Sequence, residues 1–122
     1  MVVYRFEDLR VWQAAKRQSD RVGELIKRPE FRNDLALSDQ MNHASISVMN
    51  NISEGFLRRR DREMMQFLRI AAGSNGEIRS CYFAALGRKY WTPDEANEAI
   101  EENNGIGRMI RRFQGTLTAS KD

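Results

Sequence analysis

Apolar residues recur along this chain at alternating spacings of three and four, the period of a helix that buries one face. Four such stripes follow one another. The first is Trp12, Ala15, Ser19, Val22 and Ile26, flanked by Leu9, Val11 and Leu25. The second is Leu37, Met41, Ala44, Val48 and Ile52. The third, the longest, is Met64, Phe67, Ala71, Ser74, Ile78, Cys81 and Ala85, widened by Leu68, Ile70, Tyr82, Phe83 and Leu86. The fourth is Ala96, Ala99, Asn103, Ile106, Ile110, Phe113 and Leu117. Asn103 is the polar residue in that last stripe, placed either to set register, as a buried Asn does in coiled coils, or at its wet edge.

The breaks between stripes carry helix punctuation. Pro29 ends the first helix near residue 28 and opens a short loop to Asn33. The second helix starts at Asn33 or Asp34. Gly55 is expected to stop it in a left-handed conformation, and Asp61 to cap the third, with Glu63 at its positive end. Thr92-Pro93-Asp94-Glu95 reads as a capping box with proline at the first helical position. The expected helices are 7–28, 34–55, 61–87 and 93–115, and the tail from Thr116 is expected to fray. Four helices on short links make an all-α, antiparallel up-down-up-down four-helix bundle the economical architecture, a single domain over residues 1–122.

The second helix carries a further apolar set, Ile46, Met49 and Phe56, on another face. Those residues are the expected oligomer interface, because a small monomer gains nothing from keeping that area wet. The alternative is a central helix that touches two neighbours within its own domain.

Composition narrows the class. With 41% hydrophobic and 30% charged residues the balance is globular rather than disordered. No apolar run approaches the roughly 20 residues that span a bilayer, and Glu7 and Asp8 interrupt any signal-peptide core, so a cytoplasmic location without membrane contact is expected. The lone cysteine, Cys81, fits a reducing compartment. The net charge of +3 is unevenly spread: the first and third quarters are basic, the second and fourth acidic.

Catalytic chemistry is poorly supplied. The one histidine, His43, has no Glu-x-x-His partner of the kind a di-metal bundle uses. Cys81 lies on a core stripe, where a small buried hydrophobe is the simpler role than a nucleophile. Ser45, Ser47 and Ser53 have no nucleophile elbow, and Gly105-Ile106-Gly107 follows no strand. Glu101 and Glu102 read as a solvated face. The expectation is a non-enzymatic protein with no metal, no cofactor and no small-molecule substrate.

The arginines remain. Arg58, Arg59, Arg60 and Arg62 gather at a helix N-terminus, and Arg108, Arg111 and Arg112 lie on the last helix. Guanidinium forks suit phosphate oxygens, so both sets are candidate nucleic-acid-binding residues for RNA or DNA. Ion pairing with nearby acids, or across a subunit interface, is the competing role. Tyr4, Trp12, Tyr90 and Trp91 are candidate stacking aromatics, Trp12 being better explained as core.

Three patches carry a family resemblance. Phe6-Glu7-Asp8-Leu9-Arg10-Val11-Trp12-Gln13-Ala14-Ala15 is similar to an opening "FEDLxVWQxA". Leu37 to Gln40, followed by Asn51-Ile52-Ser53-Glu54-Gly55, is similar to "LxxQ…NIAEG". Glu63 to Ser74 is similar to "EFxxFLxIAxGS". In this order they resemble the bacterial four-helix-bundle proteins encoded in intervening sequences of 23S ribosomal RNA genes. The family often has Pro at Met49, Gly at Leu57, and Ser or Thr at Arg60. The resemblance implies an antiparallel bundle, a homo-oligomeric pentameric ring and a link to RNA; it implies no catalytic residue. The leading expectation is therefore a non-enzymatic, ring-forming bundle that binds nucleic acid, RNA first, through Arg58, Arg59, Arg60 and Arg62. The alternative is a protein–protein interaction scaffold.

Overall fold

The computed structural model describes residues 2–118. A 3₁₀ turn at Phe6–Asp8 leads into α1 (Arg10–Leu25), followed by α2 (Pro29–Arg32), α3 (Leu35–Leu57), α4 (Asp61–Gly87) and α5 (Pro93–Thr118). The four long helices form the expected all-α antiparallel bundle. Helix α3 packs on α1 and α4, and α5 packs on α4 and α1, which closes the ring of four. Side-chain pairs fix the antiparallel sense. Ser47 meets Ser74 and Gln40 meets Cys81 between α3 and α4, while Gln18 meets Asn103 and Arg21 meets Glu98 between α1 and α5.

The α3 stripe is buried throughout, and so is every α4 stripe residue except half-buried Phe67. The α5 stripe is buried from Ala96 to Ile110, Asn103 included. On α1 the buried face is rotated from the expected stripe. It is centred on Val11, Ala14, Ala15, Gln18, Val22 and Leu25, leaving Trp12, Ser19 and Ile26 at its edge. Ile70 and Phe83, read as widening the α4 stripe, are exposed.

Several boundaries differ from the expected ones. Glu7 and Asp8 belong to the separate 3₁₀ turn, because Leu9 is extended and breaks the backbone before α1. Helix α1 ends at Leu25, and the expected loop from Pro29 is the short helix α2 with Pro29 in its first turn. There proline's missing N–H breaks no helix bond. Arg60, not Asp61, is the N-cap of α4, and Asp61 is its first residue. Helix α5 runs past the expected end at Gly115 to Thr118, and the rest of the expected frayed tail lies outside the described residues. The capping box forms: Glu95 N donates to Thr92 Oγ1 at 3.1 Å and Thr92 N to a Glu95 carboxylate oxygen at 3.1 Å.

Gly55 does not stop α3. No described glycine has positive φ, and the left-handed residue is Arg59, at φ 62°. Gly55 is buried inside the helix, where a Cβ would stand 2.9 Å from both Met64 Sδ and Phe67 Cβ. Its missing side chain lets α3 and α4 converge before the chain reverses.

Candidate nucleic-acid interface

The seven predicted arginines do not form one patch. Arg58 is held at home: its guanidinium lies 3.0 Å from Glu54 and 3.6 Å from Glu63, and 5.3 Å from the Phe67 ring centroid. Arg59 donates to the Tyr4 carbonyl at 3.1 Å and stacks over Phe56 at 4.7 Å, tying the N-terminal segment to the α3–α4 corner. Arg60 lies 4.0 Å from Glu63, an exposed and weak pair. Arg62 parts company with these three. It lines a surface cleft with Arg69, Met65 and Gln66 of α4 and with Leu117 and Thr118 of α5.

The second predicted set straddles two grooves. Arg111 and Arg108 line the α4–α5 cleft together with Arg79. Arg112 and Arg108 line the α1–α5 groove together with Arg17. Arg108 thus borders both. Its one carboxylate neighbour among the described residues is Glu101 at 3.7 Å. No described carboxylate lies within 4.0 Å of Arg17, Arg62, Arg69, Arg79, Arg111 or Arg112. Glu102 also lines the α1–α5 groove, where Arg21 holds it at 3.0 Å; Arg21 holds Glu98 as well, and Arg28 holds Glu95.

Arg17, Arg69 and Arg79 were not singled out in the sequence. Arg69 and Arg79 are isolated there and Arg17 follows only Lys16; packing brings Arg17 and Arg79 beside the α5 arginines, and Arg69 beside Leu117 and Thr118. The available signal was helical register. Arg62, Arg69 and Gly76 repeat every seven residues and Arg79 follows one turn later, so all fall on one side of α4.

The candidate stackers divide. Tyr4 is exposed. Trp12 packs edge-on against Phe6, with ring centroids 5.2 Å apart. Trp91, expected among the candidates for base stacking, is instead a buried core residue between Phe31 and Tyr82. Tyr90 donates to Asp34 at 2.8 Å, a bond that commits its hydroxyl to the fold.

The expected oligomer contact is likewise split. Ile46 is exposed, but Met49 and Phe56 are half-buried against the core of their own bundle, and Arg59 stacks on Phe56. His43 is exposed on α3. Cys81 is buried, and burial pushes its thiol up, away from the reactive thiolate. No cluster of three metal-ligating side chains occurs among the described residues. No described helix is long and apolar enough to cross a membrane.

A sequence model of the family described as 23S rRNA-intervening sequence protein matches residues 7–112. Among solved structures, a protein with unknown function from the S23 ribosomal protein family of Bacteroides thetaiotaomicron superposes with a TM-score of 0.77 at 17% identity. The match covers 85% of this chain and 97% of that one. At that identity the likeness bears on the fold. No curated protein matches the chain.

Proposed function

The chain belongs to the family of 23S rRNA-intervening sequence proteins, and on that premise we propose that it is a non-enzymatic, ring-forming bundle that binds RNA through the arginines flanking α5. The single observation that carries this reading is the convergence of Arg17, Arg79, Arg108, Arg111 and Arg112 on two adjoining grooves. Like charges at such spacing repel one another, and Arg108 with Arg111 or Arg112 are helix neighbours of the same sign. A polyanion relieves that repulsion and releases its own counterions on binding. Arg62 and Arg69 extend the basic side of α4 toward the end of the bundle, whereas Arg58 and Arg59 serve mainly to hold the corner. A ring would repeat the surface and raise avidity.

The test is fluorescence anisotropy with structured RNA across a salt series. The expected result is affinity that falls steeply with salt. Changing Arg108, Arg111 and Arg112 to Gln should flatten the slope of log K against log salt by about two, at roughly 0.7–0.9 per phosphate contact. Changing Arg58 and Arg59 should alter stability more than binding. Salt-independent binding, or none, would sink the reading.

The second reading is a protein-interaction scaffold, favoured by the exposed apolar side chains Ile46, Leu57, Ile70 and Phe83. RNA anisotropy on Ile46→Glu, with sedimentation beside it, separates the two: dissociation with RNA affinity per protomer retained supports the first reading, and dissociation with no RNA binding in parent or variant leaves the scaffold.

A further inference from the structure

Helices α4 and α5 both tolerate glycines that their own packing does not require. An interior glycine weakens a helix by about 1 kcal/mol relative to alanine. At Gly55 the reason is contact, since a Cβ would collide with α4. At Gly76 a Cβ would meet nothing within 4 Å, and at Gly107 only the ends of Arg111 and Asn75, at 3.6 and 3.7 Å. Both glycines line the cleft of about 190 Å³ between α4 and α5, with Ala72 beside them. Arg79, Arg108 and Arg111 stand around this small-residue floor. Arg79 is oriented by donating to Asn104 Oδ1 at 2.9 Å, which leaves its remaining donors free to turn to a guest.

The cleft is also lined with amides rather than hydrocarbon. Asn75 and Asn103 border it, both nearly fully buried, and the Asn103 Oδ1 atom has no hydrogen-bond partner among the described residues. An apolar segment would lay hydrocarbon over these amides; the unpaired Asn103 oxygen is an acceptor and offers an anion nothing, so the attraction for a phosphate comes from the three arginines.

We propose that the α4–α5 cleft is a seat for a backbone phosphate of the bound RNA, held by Arg79, Arg108 and Arg111 and admitted to the helix surface by Gly76 and Gly107. This rests on the nucleic-acid reading and adds to it a defined point of entry and a residue, Arg79, on another helix. Arg69 lies ten residues from Arg79 on α4, about 15 Å along the axis at 1.5 Å per residue. That distance suits a neighbouring stretch of the same strand, not the same phosphate.

Gly76→Leu and Gly107→Leu fill the cleft without changing any charge, and leucine favours the helix. Both variants should melt no lower than the parent, and RNA affinity should fall at least tenfold in each; Arg79→Gln should show a comparable loss. Unchanged RNA affinity in the leucine variants overturns the proposal while leaving the basic-surface reading in place. A change in sedimentation in the leucine variants assigns the cleft to a subunit contact and also overturns it. If the parent protein binds no RNA, inorganic phosphate is titrated against chloride at matched ionic strength. Saturable movement of the Gly76 and Gly107 amide NMR signals then keeps the seat for free phosphate, and no movement removes it.

Discussion

Asn103 donates its side-chain amide to Gln18 Oε1 at 2.8 Å across the centre of the bundle, where both residues are buried. Asn75 completes the layer: Gln18 donates to its Oδ1 at 3.0 Å, and its own amide donates to the Asn103 carbonyl at 3.1 Å. One polar layer therefore ties α1, α4 and α5 at a single register, since a slip by one turn would bury all three amides without partners. Asn103→Leu should lower stability by about 2 kcal/mol, because buried acceptors lose their donor. Changing Gln18, Asn75 and Asn103 together to apolar residues should recover most of that loss. Urea unfolding at fixed protein concentration reads both, and a triple variant as weak as the single one would refute the argument.

Glycines on α3 and α5 should respond to alanine with opposite signs. Gly55→Ala places a Cβ 2.9 Å from Phe67 Cβ, which sits close to the α4 backbone and cannot swing away. A loss of about 1–3 kcal/mol is expected despite alanine's better helix propensity. Gly107→Ala meets only ordinary contacts and should gain up to about 1 kcal/mol. Thermal melting of the two variants checks the pair, and equal signs would contradict the packing account.

Lys89 ends α4 in a left-handed conformation, φ 61°. Tyr90 N donates to the Ala85 carbonyl and Lys89 N to the Leu86 carbonyl, each at 3.0 Å, the pattern that usually holds glycine. Lys89→Gly should stabilise by about 1 kcal/mol, since glycine enters that region without a Cβ penalty. Arg59→Gly relieves the same strain but loses the bond to Tyr4 and the stacking on Phe56. Its net gain in melting temperature should be smaller, and the N-terminal amides should exchange faster with deuterium. A larger gain at Arg59 would show those contacts to be idle.

Asp34 contributes to the acid limb of stability, together with Glu95, whose carboxyl is lowered first by Arg28 and then by the Thr92 N–H. The Asp34 carboxyl is held below the usual range first by the Tyr90 hydroxyl, then by the Leu37 N–H, with Arg88 adding to both. The same bond raises the Tyr90 phenol. A lowered carboxyl pKa contributes stability above the unfolded value of about 3.9 and loses it as pH falls through the folded one. A raised phenol contributes below about pH 10 and loses its share as pH rises through the folded value. Stability should thus be level between these limits and fall outside them. Asp34→Asn should flatten both limbs. Melting temperatures of parent and variant that run parallel below pH 4 would contradict this role.

The periodic stripes of α3, α4 and α5 were readable because a 3.6-residue repeat maps directly onto one buried face. The α1 face was read one position off, because Gln18 is polar and its burial depends on two amides from helices far along the chain. Gly55 was misread for a related reason. A glycine before a reversal fits a left-handed stop equally well, and only the approach of Met64 and Phe67 identifies it as a contact residue. For the candidate site the arginine-rich stretch drew attention by density, yet Glu54, Glu63 and Tyr4 engage most of it. What the sequence by itself determined is the bundle: its four long helices, most of the core, the capping box at Thr92, and the family to which its motifs belong. What the tertiary structure decided is which arginines share a surface. Charge in sequence is local, whereas neutralisation and convergence depend on side chains brought together from α1, α4 and α5.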